Sequence, residues 1–492
     1  MKANKLYMVL TFLILATGCE DMLTENPTTF LAPESLTTVE GAEATLFAAY
    51  EGLQNGNYYK GQFWAGLEYQ NDFQHTRGSR TPHGFYNLDT RNIGRISGVW
   101  ARIYSSINRT NQIISSFPEL DFDEEIKGQW IAEARVLRAL HYFNLVRIWG
   151  GVPLRIEPLE DLSNTGLARS TVAETYAQIV NDLNEAINSN FLPTDYASSQ
   201  LGRASVHAAR TLLAHVHLTN GNWADAANLA QQVINSGQFQ LESDMYMIFS
   251  PEDVTHSGDI WSIKYARIEP IGSSWQQMFT AGKGTGYAAR TWFTNIGITT
   301  HPILANWDDS DERKALNLYD TDPQTVEGKT LSAAVPMLFK KYIDKDFVGR
   351  SGHGNDFQLY RYADALLIFA EADCREKGNP GAEAYDAVNQ IRRRAYGVDL
   401  NVPAPGIDLE GLSKDDFIEA VMVERAHEFM LEAKRWFDII RNGFEYTTQQ
   451  ITSSGDSRKL EYWGIEDMLW PIPRQEIDNN DKLTDADQNP GW

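Results

Sequence analysis

ASVHAARTLLAHVHLTNGNWADAANLAQQVINS, residues 204–236, is the stretch that decides the fold. Its first half carries Ala208, Leu212, Ala214 and Leu218 at helical spacing. Gly221-Asn222-Trp223 then reverses the chain, and the second half carries Ala226, Ala227, Ala230 and Val233. Small residues on the facing sides let two helices approach closely. The stretch is therefore an antiparallel helix pair closed by a Gly-Asn turn, with a left-handed backbone expected at Gly221.

Working outward, a second copy reads from Leu359 to Tyr396. Ala363, Leu366, Ala370 and Ala372 lie in its first helix, Gly378-Asn379 is its turn, and Ala384, Val388 and Ile391 lie in its second. Both copies resemble tetratricopeptide units. Leu36–Leu53 with Val99–Phe117, and Glu124–Trp149 with Thr171–Ile187, supply two further helix pairs with longer connections. Thr171 and Glu174 are spaced for a capping box. From Asn55 to Gly98 the helical pattern breaks up. Phe239–Gly354 is loop-rich, with short strand-like runs such as Asp259–Tyr265. Phe417–Arg441 reads as one long final helix, and the tail from Trp470 is irregular. The expected fold is mainly α: helical repeat pairs at about 36–236 and 359–441, a loop-rich insert at about 239–354, and an irregular tail at 470–492.

The chain has 492 residues, 42% of them hydrophobic, so it has enough apolar material for a large core. A net charge of −23 argues against phosphate backbones and anionic lipid heads, and a neutral partner suits such a surface better. No nucleic-acid partner is expected. The two cysteines are Cys19 and Cys374. Lys2 and Lys5 precede an apolar run, Leu6–Ala16, too short to span a bilayer and of signal-peptide length. Ala16-Thr17-Gly18-Cys19 resembles a bacterial lipobox, although Ala16 stands where leucine is commonest. Residues 1–18 are thus expected to be a lipoprotein signal peptide and Cys19 the lipidated first residue of a domain spanning 19–492. The body would meet the membrane through lipid alone. With Cys19 consumed, no intrachain disulfide is expected, and Cys374 reads as a small buried hydrophobe.

Four blocks carry a family pattern: EARVLRALHYFNLVRIWGGVPL at 133–154, LYRYADALLIFAEA at 359–372, ERAHEFMLEAKRWFDIIR at 424–441, and WPIPRQEI at 470–477 closing with QNPGW at 488–492. In this order, behind a lipobox, they resemble the SusD/RagB family of outer-membrane nutrient-binding lipoproteins. Ala433 stands where glycine is usual, and Trp492 where tyrosine is usual. The resemblance implies a non-catalytic, lipid-anchored protein at the cell surface of a Bacteroidota-type bacterium. It would capture a glycan and deliver it to a SusC-like TonB-dependent porin. A peptide ligand, as in the RagB branch, is the alternative; a helical glycoside hydrolase is a more distant one.

The residues narrow the site. Glu424 and Glu428 stand four apart and could be paired acid–base carboxylates. Phe417, Val421 and Leu431 share their face, however, so a Glu–Arg network fixing helix packing is the better reading, with Arg135, Arg138 and Arg361 as partners. His215 and His217 point in different directions on a helix, which disfavours a shared metal. Neither a cofactor nor a metal is expected, a structural calcium ion being the one open possibility. A sugar ring presents an apolar C–H face and a hydroxyl rim, so it needs flat aromatic platforms edged by polar side chains. Two loops offer that mixture. Asn57–Tyr86 offers Trp64, Tyr69, Asp72 and His75; Trp275–Phe293 offers Trp275, Tyr287 and Trp292. Those seven residues are the expected ligand contacts.

Overall fold

The computed structural model describes residues 38–159, 166–253, 255–269, 271–275, 295–318, 325–326, 329–330, 339, 341–344, 346–347 and 352–492. Cys19, Tyr287 and Trp292 lie outside the described residues. The chain divides into two units, residues 1–45 and 46–492. The described part of the first is the opening of helix α1, Val39–Glu51. The second holds everything below.

The expected helix-free stretch between Asn55 and Gly98 contains α2 (Gln62–Gln70), strand β1 (Gln74–Thr76) and α3 (Thr81–Gly84). Helix α4 (Thr90–Ser116) starts nine residues before the expected Val99 because Asp89 caps it, its carboxylate accepting from the Asn92 N–H at 2.9 Å. Helix α5 (Glu124–Trp149) has the expected bounds and is capped by Asp123. Helix α6 (Val172–Asn188) opens on the Thr171/Glu174 capping box. Ser205 caps α7 (Val206–Thr219), and α8 (Trp223–Ile234) completes the first repeat hairpin. Gly221 lies at φ +80°, with open space where a Cβ would stand, so the demand for glycine there is conformational.

The insert contributes β2 (Asp259–Ile263), β3 (Asn295–Gly297), α9 (Pro302–Ala305) and α10 (Glu312–Asn317). Residues Phe357–Arg361 are strand β4, not the start of a helix; β4 pairs antiparallel with β2 and runs straight into α11 (Tyr362–Lys377). Helix α12 (Ala382–Ala395) follows, with Gly378 at φ +77° in the turn. The second repeat is thus a strand plus a hairpin. The expected final helix is broken into α13 (Lys414–Glu428) and α14 (Arg435–Ile440). Three short helices follow: α15 (Phe444–Ser453), α16 (Ser457–Tyr462) and α17 (Arg474–Asn479).

Consecutive helices from α4 to α8 pack on one another, and α8 packs on α11 across the whole insert. One buried cluster joins both hairpins. Ala214, Leu218, Ala226 and Ala230 meet Leu366, Ala370, Val388, Ile391, Phe417 and Val421. Burying each large aliphatic side chain stabilises by about 1.5–3 kcal/mol. Cys374 is buried in this cluster, as expected. Among the described residues no helix is long and apolar enough to cross a membrane.

Candidate functional site

Helix α2 carries Phe63, Trp64 and Tyr69 of the first expected loop, and it points them inward. Trp64 is fully buried, and its indole N–H donates to the Leu431 carbonyl at 3.0 Å. Tyr69 is 2% exposed and accepts from Arg80, whose guanidinium also sits over its ring. Asp72 is fully buried between Arg435 (2.5 Å) and His301 (3.1 Å). The Arg435 guanidinium, with His301 on the other side, outweighs its burial and holds its carboxyl far below the usual range. Trp275 is fully buried, packed against Tyr265, Tyr342 and Phe357, with its N–H donating to the Tyr59 carbonyl at 2.7 Å. Trp64, Tyr69, Asp72 and Trp275 therefore correct the expectation. They are internal packing and ion-pair residues, because each polar atom has an internal partner and no ring face is open.

The two loops nevertheless meet. On one side of residues 276–294, Trp275 holds Tyr59 and the Ser274 hydroxyl donates to the Lys60 carbonyl at 2.9 Å. On the other side, β3 pairs antiparallel with β1, His75 opposite Ile296, and the Ile298 N–H donates to the Phe73 carbonyl. Both flanks of the second loop are thus fastened to the first.

What the first loop shows to solvent is polar: Lys60, Gln62, His75, Arg77, Ser79 and Arg80. His75 is half-buried and stacks on Phe85, with ring centroids 5.7 Å apart. Burial, with Arg458 and Lys459 nearby, pushes its imidazole down to about 4, so it is neutral at pH 7. Its Nδ1 has no hydrogen-bond partner among the described residues. The loop is braced from behind by Lys459. That buried ammonium donates to the carbonyls of Asn71 (2.8 Å), Gly84 (3.0 Å) and Tyr69 (3.2 Å). This rim of donors suits hydroxyl groups. Every aromatic ring of residues 57–86 is turned into the core.

The carboxylate pair behaves as the network reading expected. Glu424 and Glu428 are 1% and 4% exposed. Arg313 reaches Glu424 at 2.5 Å and Glu428 at 3.2 Å; Arg361 and Arg394 reach Glu428 at 2.7 and 2.5 Å; Arg392 reaches Glu424 at 3.1 Å. The arginines hold the Glu428 carboxyl well below its ordinary range despite its burial. Of the expected partners Arg361 is present, whereas Arg135 and Arg138 pair with Asp182. Arg313 went unread because it sits in the loop-rich insert. Leu431 is not on a helix face: it and Ala433 stand at φ +62° and +56° in the turn between α13 and α14. Glu432 in that turn pairs with Lys341 and Arg361, Lys434 pairs with Asp364, and the Ala433 N–H donates to Glu68. His215 bonds the Tyr360 hydroxyl at 2.9 Å. Among the described residues no group of three His, Cys, Asp or Glu is placed to hold a metal ion.

Helix hairpins joined across an insert by a strand and a charge-laced turn define a fold with close counterparts. A SusD homolog from Bacteroides thetaiotaomicron superposes with a TM-score of 0.81 at 23% identity, over 93% of this chain and 98% of its own. Surface glycan-binding protein A from Bacteroides uniformis superposes at 0.77 and 23% identity, over 92% and 99%. The architecture is that of the SusD superfamily. In sequence, residues 264–492 match the SusD family and residues 28–218 match the family described as starch-binding associating with outer membrane. SusD-like protein P2 of Formosa agariphila is 28% identical over the full length of both chains. The chain belongs to the SusD/RagB family.

Proposed function

We propose that this protein binds a glycan at the outer membrane surface and hands it to a SusC-like TonB-dependent transporter, without chemistry of its own. The observation that carries the reading is the double fastening of the second loop onto the polar rim of the first. The names of similar proteins support the ligand class: one is a surface glycan-binding protein and one family description is starch-binding. The rim supplies donors to hydroxyl groups, with His75 among them, and Tyr287 and Trp292 of the second loop supply the stacking platforms. Glycoside hydrolysis disagrees with the locked Glu424/Glu428 pair. A general acid needs a raised pKa and access to the glycosidic oxygen; Glu428 is driven the other way and buried.

The test is a panel of neutral polysaccharides in affinity gels, followed by calorimetry with the one retained. Tyr287→Ala and Trp292→Ala should each lose about 1–3 kcal/mol of binding, as stacking on other flat rings does. New reducing ends on incubation would reject the non-catalytic reading. Unchanged affinity in both folded variants would reject this placement of the site. Cys19→Ala should shift the protein from the membrane to the soluble fraction in cells lacking the porin.

A further inference from the structure

Behind the paired loops, between α5, β4 and α14, lies a cavity of about 40 Å³. Its lining includes Tyr59, Asn144, Arg147, His215, Tyr360 and Phe437. The guanidinium of Arg147 is sandwiched there, 3.8 Å from the ring centroid of Phe143 and 3.7 Å from that of Phe437. Its Nε donates to the Phe143 carbonyl at 3.1 Å, and one terminal nitrogen donates to Asn144 Oδ1 at 2.5 Å. The other terminal nitrogen, Nη1, donates to no described residue.

No carboxylate pairs with Arg147 among the described residues, which sets it apart from its neighbours. Arg138 has Asp182, Arg203 has Glu133, Arg361 has Glu428 and Glu432, Arg435 has Asp72, and Arg441 has Glu371. The groups that face Arg147 with any potential negative charge are the phenols of Tyr360, Tyr59, Tyr176 and Tyr58. Burial pushes the Tyr59 and Tyr176 phenols up to about 12, and those of Tyr58 and Tyr360 upward too, so all are neutral at pH 7. The charged side chains that also line the cavity are balanced elsewhere. Glu432 pairs with Arg361 and Lys341, and Lys434 with Asp364. His215 is held neutral by burial and by the cations around it. One positive charge is left over on a part-buried side chain at a half-open cavity, where water screens it less than at an open surface. The two ring faces compensate part of it. They also hold the guanidinium flat, leaving its in-plane N–H edge toward the cavity.

We infer that this cavity binds a small monovalent anion of chloride size, held by the guanidinium of Arg147. On the same measure one water needs about 10–15 Å³, so a halide ion fits the cavity with room to spare. The position is behind Tyr59 and Phe357, both of which touch the packing around Trp275. The anion would thus sit under the wall that fastens the second loop.

Crystals of the full chain soaked in sodium bromide test this through bromine anomalous scattering. The expected result is a peak within hydrogen-bond distance of Arg147. Bromide at surface positions only, with none in the cavity, overturns the inference. Thermal unfolding at fixed ionic strength gives a second arm, with chloride or bromide replaced stepwise by gluconate, which is too large for the cavity. The midpoint should rise with halide and saturate, as for any ligand of the native state. The rise should vanish in Arg147→Met. A halide-dependent rise that persists in that variant overturns the assignment to Arg147. Should Arg147→Met fail to fold, the bromide map of the unaltered protein decides alone.

Discussion

The first repeat hairpin, α7 with one face of α8, and the turn at residues 429–434 both pack into the interior, yet they are held by opposite means. The hairpin is closed by alanines, leucines and valines from neighbouring turns of helix, with a glycine reversing the chain. The turn holds Leu431 and Ala433 in the left-handed region. It is secured by groups distant in sequence: Trp64 and Glu68 from α2, Lys341 from the insert and Arg361 from β4. Apolar packing is non-directional, so it tolerates exchange among residues of similar size. Buried ion pairs do not, because removing one partner strands the other.

The sharpest way to break this contrast is Arg361→Met. It strips Glu428 and Glu432 of their shared cation and, because Arg313, Arg394 and Lys341 still face them, should cost about 3 kcal/mol in urea unfolding, the low end for breaking a buried pair. A loss under about 1 kcal/mol would show the turn to be held by shape alone. Acid sensitivity does not separate the two regions, since α7 also holds histidines lowered by burial, His207 and His215, but one share of it belongs to His427 beside the turn. His427 is pushed down to about 3 by burial and by Arg313, while stacking on Trp307. A depressed folded-state value means that the stabilisation is present above the unfolded value of about 6.5 and is lost as pH falls toward 3. Between pH 7 and pH 5 this group alone should remove about 2 kcal/mol. His427→Gln should shrink the difference between denaturation curves at those two pH values by that amount, the rest belonging to other buried histidines such as His83 and His141. On the apolar side, Gly221→Val should cost about 1–3 kcal/mol, by strain at φ +80° and not by collision. An unchanged thermal midpoint would mean that the turn can relax. The smallest effect should be a gain. Ala433→Gly removes left-handed strain of about 1–2 kcal/mol, partly offset by the entropy of the freer unfolded chain. A rise of the midpoint by about one degree is expected, because the unfolding entropy of so long a chain is large.

The same contrast explains what the sequence disclosed. The hairpin, α5 and the capped start of α6 were legible because their signals are local: alanine and leucine spacing, Gly-Asn, and Thr171 three residues before Glu174. The break at 429–434 was not. Apolar periodicity runs on through Phe429, Met430 and Leu431, and the groups that force the turn lie 70 to more than 360 residues away. Strand β4 was hidden for a related reason, since Phe357–Arg361 is short and its partner strand β2 is distant. At the candidate site composition singled out two loops, and the flanks of the second are fastened to the first. It misjudged Trp64 and Trp275, because an aromatic in a polar, glycine-bearing stretch reads the same whether it faces a ligand or a core. That Arg313 and not Arg135 or Arg138 joins the carboxylates needed the folded chain.

On the proposed reading, the fastening of the second loop has a consequence for how such a protein exchanges one ligand for another. One attachment ends at Trp275 and the other begins at the backbone ladder of β3, so neither depends on the residues between them. Once both ends are fixed, the entropic cost of lengthening a loop grows only slowly, by about 0.6 kcal/mol per doubling. The stretch between the attachments is therefore a replaceable cassette. Grafting the corresponding stretch of a relative with a different ligand between Trp275 and Asn295 should transfer recognition while leaving the scaffold's melting behaviour intact.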